Sequence, residues 1–192
     1  GLKLFKTLEE KLGTLPIIAE DLGFLTPGVI DMRDNSGFPG MKILQFAFEG
    51  TNSYYLPHNY IANTVAYVGT HDNETLAGWY AGLSIEAKTQ VRNYLSDYYT
   101  PDDRMYKVLI NLAMTAVAKD CIIPIQDHLG LGNEARMNQP GTVGFNWRWR
   151  LLPGQLTDAL AQELLAMAKR TGRANWDTLP KKKDTDADKT EK

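Results

Sequence analysis

Leu2, Phe5, Leu8 and Leu12 recur at the spacing of one helical face, and Gly13 follows as a stop signal. The short apolar run Pro16-Ile17-Ile18-Ala19 then ends in Glu20-Asp21, the pattern of a buried strand with acids at its C-terminal end. Thr26-Pro27 predicts a helix start, with Thr as N-cap and Pro in the first turn, running to about Arg33. Asn35-Ser36-Gly37 and Pro39-Gly40 punctuate a loop. Further strands are predicted over residues 41–48, 64–68 and 121–125, the one over 64–68 running into Gly69-Thr70-His71-Asp72-Asn73. Helical patterns cover residues 74–81, 84–98, 100–119 and 156–170, and a Gly-rich, aromatic loop fills residues 130–150. Strands alternating with helices predict parallel βα units, and strands that read as continuous apolar runs are covered on both faces.

Composition changes this picture only at the edges. The chain has 192 residues, 43% hydrophobic and 23% charged, with a formal net charge of −2. That is ordinary globular material with no basic excess of the kind a nucleic acid demands. Cys121 is the one cysteine, so no internal disulfide forms, and it opens an apolar run as a small buried residue does. The N-terminus lacks a signal peptide's apolar core, and no apolar run spans a bilayer, so a reducing, cytoplasmic setting is expected. Residues 1–172 are expected to form the folded domain. Residues 173–192 are a polar tail with no apolar residue larger than Ala after Pro180, and are expected to be disordered.

Polar residues follow the predicted strands: Glu20-Asp21, Glu49, His71-Asp72-Asn73 and Gln126-Asp127-His128. In a parallel barrel these positions share the C-terminal rim, and in an open doubly wound sheet they border the ligand crevice. Glu20, Asp72 and Gln126-Asp127 can therefore converge. Two carboxylates at one site suit glycosidic chemistry, one protonated and donating to the leaving oxygen, the other ionised. The apolar flank Ile17-Ile18-Ala19 is expected to raise the pKa of Glu20 and suit it to the acid role. A His beside Asp72 suits donation to sugar hydroxyls.

Three segments carry a more specific signal. Ile17-Ile18-Ala19-Glu20-Asp21-Leu22-Gly23, then Gly69-Thr70-His71-Asp72-Asn73-Glu74-Thr75, then Met137-Asn138-Gln139-Pro140-Gly141-Thr142 leading to Asn146-Trp147-Arg148-Trp149-Arg150, resemble in order the amylomaltase and disproportionating-enzyme family of the α-amylase clan. The resemblance implies the C-terminal half of a (β/α)8 barrel, four parallel strands with helices, and a retaining 4-α-glucanotransferase that needs no cofactor or metal and acts on maltooligosaccharides and other α-1,4-glucans. It implies Glu20 as general acid/base and Asp72 as the stabiliser of the reacting sugar. His71 and Asn73 become substrate-binding residues beside Asp72. Asn138, Pro140 and Gly141 become substrate-binding residues of a loop over the glucan cleft. Trp147 and Trp149 are left between stacking on sugar and packing the loop.

The departure is as informative. The family's nucleophile is an Asp in an Arg-x-Asp-His setting, and no such segment occurs here. The expectation is a partial chain, inactive alone, that partners an N-terminal half of the barrel. Two rival readings are a non-catalytic glucan-binding module and an α-glucan hydrolase. A third, a metal-dependent hydrolase using His71-Asp72 and Asp127-His128, has little support from the spacing of the three histidines. Tyr54, Tyr55, His58 and Tyr60 read as loop packing rather than a sugar platform, and Tyr94, Leu95, Tyr98 and Tyr99 as helix-face packing.

Overall fold

The computed structural model describes residues 1–50 and 53–178. They divide into two compact units, residues 1–155 and the part of residues 156–192 that is described. The first unit holds helices α1 (Leu2–Leu12), α2 (Pro27–Ser36), α3 (Leu76–Gly82), α4 (Ile85–Leu95), α5 (Met105–Thr115) and the short α6 (Ile125–His128). Its strands are β1 (Gly40–Ile43), β2 (Thr64–Tyr67) and β3 (Asp120–Ile122). The sheet runs β1-β2-β3, parallel throughout, with Gly40 opposite Thr64 and Val65 opposite Asp120. The second unit holds α7 (Asp158–Arg170).

An α/β arrangement with a parallel sheet agrees with the sequence pattern, but the sheet has three strands among the described residues, not four. Proline explains most of the difference. Along residues 16–19 no strand forms: Ile17 N–H turns back to Leu15 O at 2.9 Å, and Ala19 N–H donates to Pro39 O at 2.9 Å. Pro16 and Pro39 have no N–H to give, so no ladder forms. At β3 the ladder stops at Ile122, and Pro124 caps the helical turn α6 instead of extending the strand to residue 125. The strand expected over residues 41–48 pairs only to Ile43. Beyond it, residues Leu44–Phe48 wind into a 3-10 turn that buries the polar Gln45 side chain, whose Nε2 donates to Glu74 O at 2.8 Å. The β1–β2 crossover contains, among the described residues, only this turn and a second one over Pro57–Asn59, where an α-helix is usual.

The helix signals were truer than the strand signals. Ser84, Thr75 and Thr157 each accept a hydrogen bond from a first-turn N–H of α4, α3 and α7. Helix α5 buries Met105, Leu109, Ile110 and Ala113, one face at helical spacing. With Ile43, Leu44, Val65, Ala66, Val68, Leu76, Tyr80 and Val91 it makes the core. Cys121 is half-buried against the cluster of Tyr60, Ala66 and Ala118. Helix α4 ends at Leu95 with Ser96 in a left-handed cap. Tyr98 and Tyr99 lie past that end and are exposed, contrary to the helix-face packing expected of them, whereas Tyr94 packs edge-on against Phe48. His58 meets the Tyr94 hydroxyl at 3.1 Å, Tyr55 packs edge-on against Phe46, and Tyr60 is buried, so these three do pack.

Residues 173–178 carry local structure. Arg173 and Ala174 N–H groups donate back to Ala168 O, and Trp176–Thr178 form a 3-10 turn. The part of the tail after residue 178 lies outside the described residues. Among the described residues no helix is long and apolar enough to cross a membrane.

Candidate active site

Glu20, His71 and Asp72 line one cavity of about 340 Å³, together with Met41, Tyr67 and Ile122. Tyr67 and Ile122 are the last residues of β2 and β3, so the cavity opens at the C-terminal edge of the sheet. This is the edge at which parallel α/β folds form their ligand sites. A larger cavity, of about 600 Å³, lies at the other edge, against α1 and residues such as Pro39, Asn63 and Asp120 at the strand starts. Its charged lining is Lys6, Glu9, Lys119 and Asp120, and none of Glu20, His71, Asp72 or Asn138 faces it. The first cavity is therefore the better candidate despite its smaller volume.

Each acid on this edge has a different task. Glu20 is exposed at the cavity, so the enclosing apolar flank expected for it is not provided by Ile17 and Ala19. Exposure alternates along this segment: Ile17 and Ala19 are half-buried and Asp21 is buried, whereas Ile18 and Glu20 are exposed. Asp21 is held by Arg33 Nη1 at 2.6 Å and by Met41 N–H at 2.6 Å, which fixes the backbone that carries Glu20. Burial alone would lower the pKa of Arg33, but hydrogen bonds to Asp21 and Asp34 outweigh it and raise it. Asp127 is 1% exposed and accepts Leu76 N–H at 2.7 Å, capping the start of α3. Burial pushes its carboxyl up to about 6, partly opposed by that hydrogen bond. Gln126 is also buried and donates to Ala135 O at 3.4 Å. Gln126 and Asp127 line a separate recess of about 180 Å³ with His71 and Asn73, and do not share the cavity of Glu20.

The turn carrying Asp72 is braced from both ends. Asn73 Oδ1 accepts from Thr70 N–H at 2.9 Å and Thr70 Oγ1 at 2.8 Å, so its carbonyl oxygen closes the turn. A Cβ at Gly69 would come within 2.8 Å of Gln45 Nε2, which is why the turn enters through glycine. His71 Nε2 lies 3.2 Å from Asp72 Oδ1. Asn138 Nδ2 donates to the same Asp72 oxygen at 2.6 Å, and Asn138 N–H donates to His71 O at 3.0 Å. Arg136 joins the two segments: its Nη2 donates to Asp72 O at 2.7 Å and its Nε to Asn138 O at 2.9 Å. Pro140 and Gly141 do not reach the cavity. They form the tip of an exposed turn, with Gly141 at φ 76°, and Asn146 closes that turn by accepting Gln139 N–H and donating to Thr142 O.

A second recess, of about 190 Å³, adjoins Asp72 and is lined by Gln45, Phe46, Glu49, Trp79 and Arg136. Among the described residues no three His, Cys, Asp or Glu side chains gather in a way that would hold a metal ion.

Residues 1–157 match the family model described as 4-alpha-glucanotransferase. The chain belongs to the 4-α-glucanotransferase family. It is 46% identical over 179 residues to a 4-alpha-glucanotransferase of Thermus thermophilus and 44% identical over 174 residues to one of Clostridium butyricum. In both cases 90% of this chain is covered, but only 36% and 35% of the relative. The fold superposes on an amylomaltase from Streptococcus agalactiae, solved in complex with acarbose, with a TM-score of 0.84 and 40% identity over 90% of this chain and 35% of that one. This 4-α-glucanotransferase-family chain therefore spans about a third of the length of the relatives it matches.

Within the family segments, sequence reasoning missed one residue and left another undecided. Arg136 directly precedes the Met137-Asn138 motif, yet nothing in the linear order shows that it reaches Asp72. Trp147 was left between sugar stacking and packing, and its ring lies against His71 with centroids 5.1 Å apart. Only the fold brings residues 64 to 76 positions apart in the chain into contact.

Proposed function

We propose that this chain forms the acid-and-stabiliser part of a 4-α-glucanotransferase site, on the C-terminal half of a (β/α)8 barrel. The observation that carries the proposal is the shared cavity of Glu20, His71 and Asp72 at the C-terminal edge of a parallel sheet. In this reading Glu20 protonates the leaving glycosidic oxygen and then takes the proton of the acceptor hydroxyl, as retaining double displacement requires. Asp72, held by Asn138 and Arg136, binds ring hydroxyls of the reacting sugar as positive charge develops there. His71 and Asn73 bind beside it. Asn138 acts first through Asp72, and Pro140 with Gly141 form a loop that reaches the sugar chain outside the described cavity.

The chain carries no Arg-x-Asp-His segment. The nucleophile, and with it the covalent glycosyl intermediate, is assigned to an N-terminal half of the barrel that completes the site. The 192 residues alone are then inactive, and bind maltooligosaccharides weakly if at all. The single cysteine suits a reducing cytoplasm.

The test is disproportionation of maltotriose by the protein at its full natural length. Glu20→Gln and Asp72→Asn should each reduce turnover by about 10²–10⁴-fold, the usual worth of a positioned acid/base or a transition-state charge partner. Turnover within a few-fold of the unsubstituted protein in either variant removes that residue from the mechanism. Release of glucose units to water without transfer would favour the hydrolase instead. Binding without turnover would favour a glucan-binding module.

A further inference from the structure

Trp147 holds a backbone conformation that its side chain disfavours. Its φ is 65°, and among the described non-glycine residues only Ser96 shares a positive φ. Ser96 ends helix α4, where a left-handed residue is common, whereas Trp147 lies in a loop and ends no helix. For a bulky residue this is an outlier that persists only when the surroundings hold it. Both backbone groups of Trp147 are held. Its N–H donates to Met137 O at 2.7 Å, and its carbonyl accepts from Arg150 Nη1 at 2.8 Å.

The return on that strain is not burial, because Trp147 is 53% exposed. What the conformation delivers is a ring against the His71 imidazole, centroids 5.1 Å apart and planes at 37°. The opposite constraint on His71 is Asp72, with Nε2 3.2 Å from Oδ1. Met137, which holds the Trp147 backbone, is followed by Asn138, which holds the His71 carbonyl and the Asp72 carboxylate. One short segment thus ties the strained tryptophan and the His71-Asp72 turn into a single unit.

We infer that Trp147 is a positioning residue: its indole fixes the His71 imidazole in the orientation that meets Asp72. The functional part of this inference rests on reading His71 and Asp72 as sugar-site residues, and the structural part does not. In the 192-residue chain, the His71 ring protons feel the indole ring current. They are assigned by comparison with His71→Gln. Trp147→Gly removes the ring and suits a positive φ, so the His71 resonances should move downfield while thermal stability is kept or raised. Trp147→Phe should retain part of the upfield shift. Unmoved His71 resonances in Trp147→Gly, or a melting temperature several degrees lower, overturn the inference, the second by showing that the ring serves packing.

In the protein at full length, Trp147→Gly should lower kcat by about tenfold or more with the maltotriose KM within about threefold, and Trp147→Phe should recover most of it. A raised KM with kcat unchanged overturns the positioning role and makes the ring a direct sugar contact. Asp72→Asn is measured in parallel. If that variant keeps full turnover the glucan-site reading fails, whatever the His71 resonances report.

Discussion

Replacing Asp127 by Asn isolates a buried charge from every other effect of pH. Asp127 is fully enclosed, and its Oδ1 accepts Leu76 N–H at the start of α3. Asparagine keeps that acceptor and removes the ionisation. The carboxyl stands at about 6 in the folded chain against an ordinary value of 3.8. Between these limits the folded chain binds more protons than the unfolded one, so the stability due to this group is present at low pH and is lost as pH rises through 6. From pH 8 to pH 5 the group adds about 1.4 kcal/mol of stability, by linkage between those two values. Other acids pull the opposite way. Asp102, hydrogen-bonded by Arg92 and Lys88, and Asp97, hydrogen-bonded by Thr100, are both held below the ordinary carboxylate range. Comparing the two proteins at each pH cancels those terms. Urea denaturation at pH 5 and pH 8 should therefore show Asp127→Asn gaining about 1.4 kcal/mol on the unsubstituted chain between the two conditions, whatever fixed cost the amide introduces. Parallel stability profiles would refute the reasoning, because they mean that Asp127 titrates alike in the folded and unfolded chain.

Three further perturbations probe the frame around the site. Arg33→Met leaves Asp21 as a buried carboxylate without its cation, and should destabilise the chain by about 3–5 kcal/mol in the same denaturation assay; a loss under 1 kcal/mol contradicts the clamp. Gly69→Ala drives a Cβ to 2.8 Å from the buried Gln45 amide, and overpacking of this kind should lower stability by about 1–3 kcal/mol. Asn138→Ala removes the 2.6 Å hydrogen bond to Asp72, and in the full-length protein should lower kcat for maltotriose by about tenfold with little change in KM, whereas a KM effect alone would make Asn138 a plain substrate contact.

How far the sequence could be read depended on which forces act locally. The helix start at Thr26-Pro27 was legible because the cap position and the first-turn proline are adjacent, although Thr26 makes no side-chain cap bond. The start read at Thr100-Pro101, by contrast, gives only a 3-10 turn before α5 begins at Met105. The strand boundaries were less legible, since a ladder needs donors and acceptors on two strands distant in the sequence. Pro16, Pro39 and Pro124 break the pairing in ways that an apolar run conceals. Polar residues after strands marked the right edge of the sheet, but not which of them face the cavity. Asp21 and Glu20 are adjacent, and the backbone turns one towards Arg33 and the other towards the site. Asp127 looked equivalent to Asp72 as a post-strand acid. Pro124 ends the strand early, and the helical turn that follows buries Asp127 under α3. The partners of Asp72 depend on contacts across more than sixty positions, which no local pattern encodes.

The division of labour between Glu20 and Asp72 is tested most directly with a donor that needs no acid. An α-maltosyl fluoride loses fluoride without protonation, so a variant lacking only the general acid can still form the glycosyl intermediate. In the full-length protein, the account predicts that Glu20→Gln releases about one equivalent of fluoride in a first-turnover burst at a rate near that of the unsubstituted protein, then stalls with a maltooligosaccharide acceptor, whose hydroxyl needs the Glu20 base, and fails on maltotriose. Asp72→Asn should be slow on both donors. A first-turnover burst of fluoride that is lost in Glu20→Gln, or one that survives intact in Asp72→Asn, contradicts the assignment.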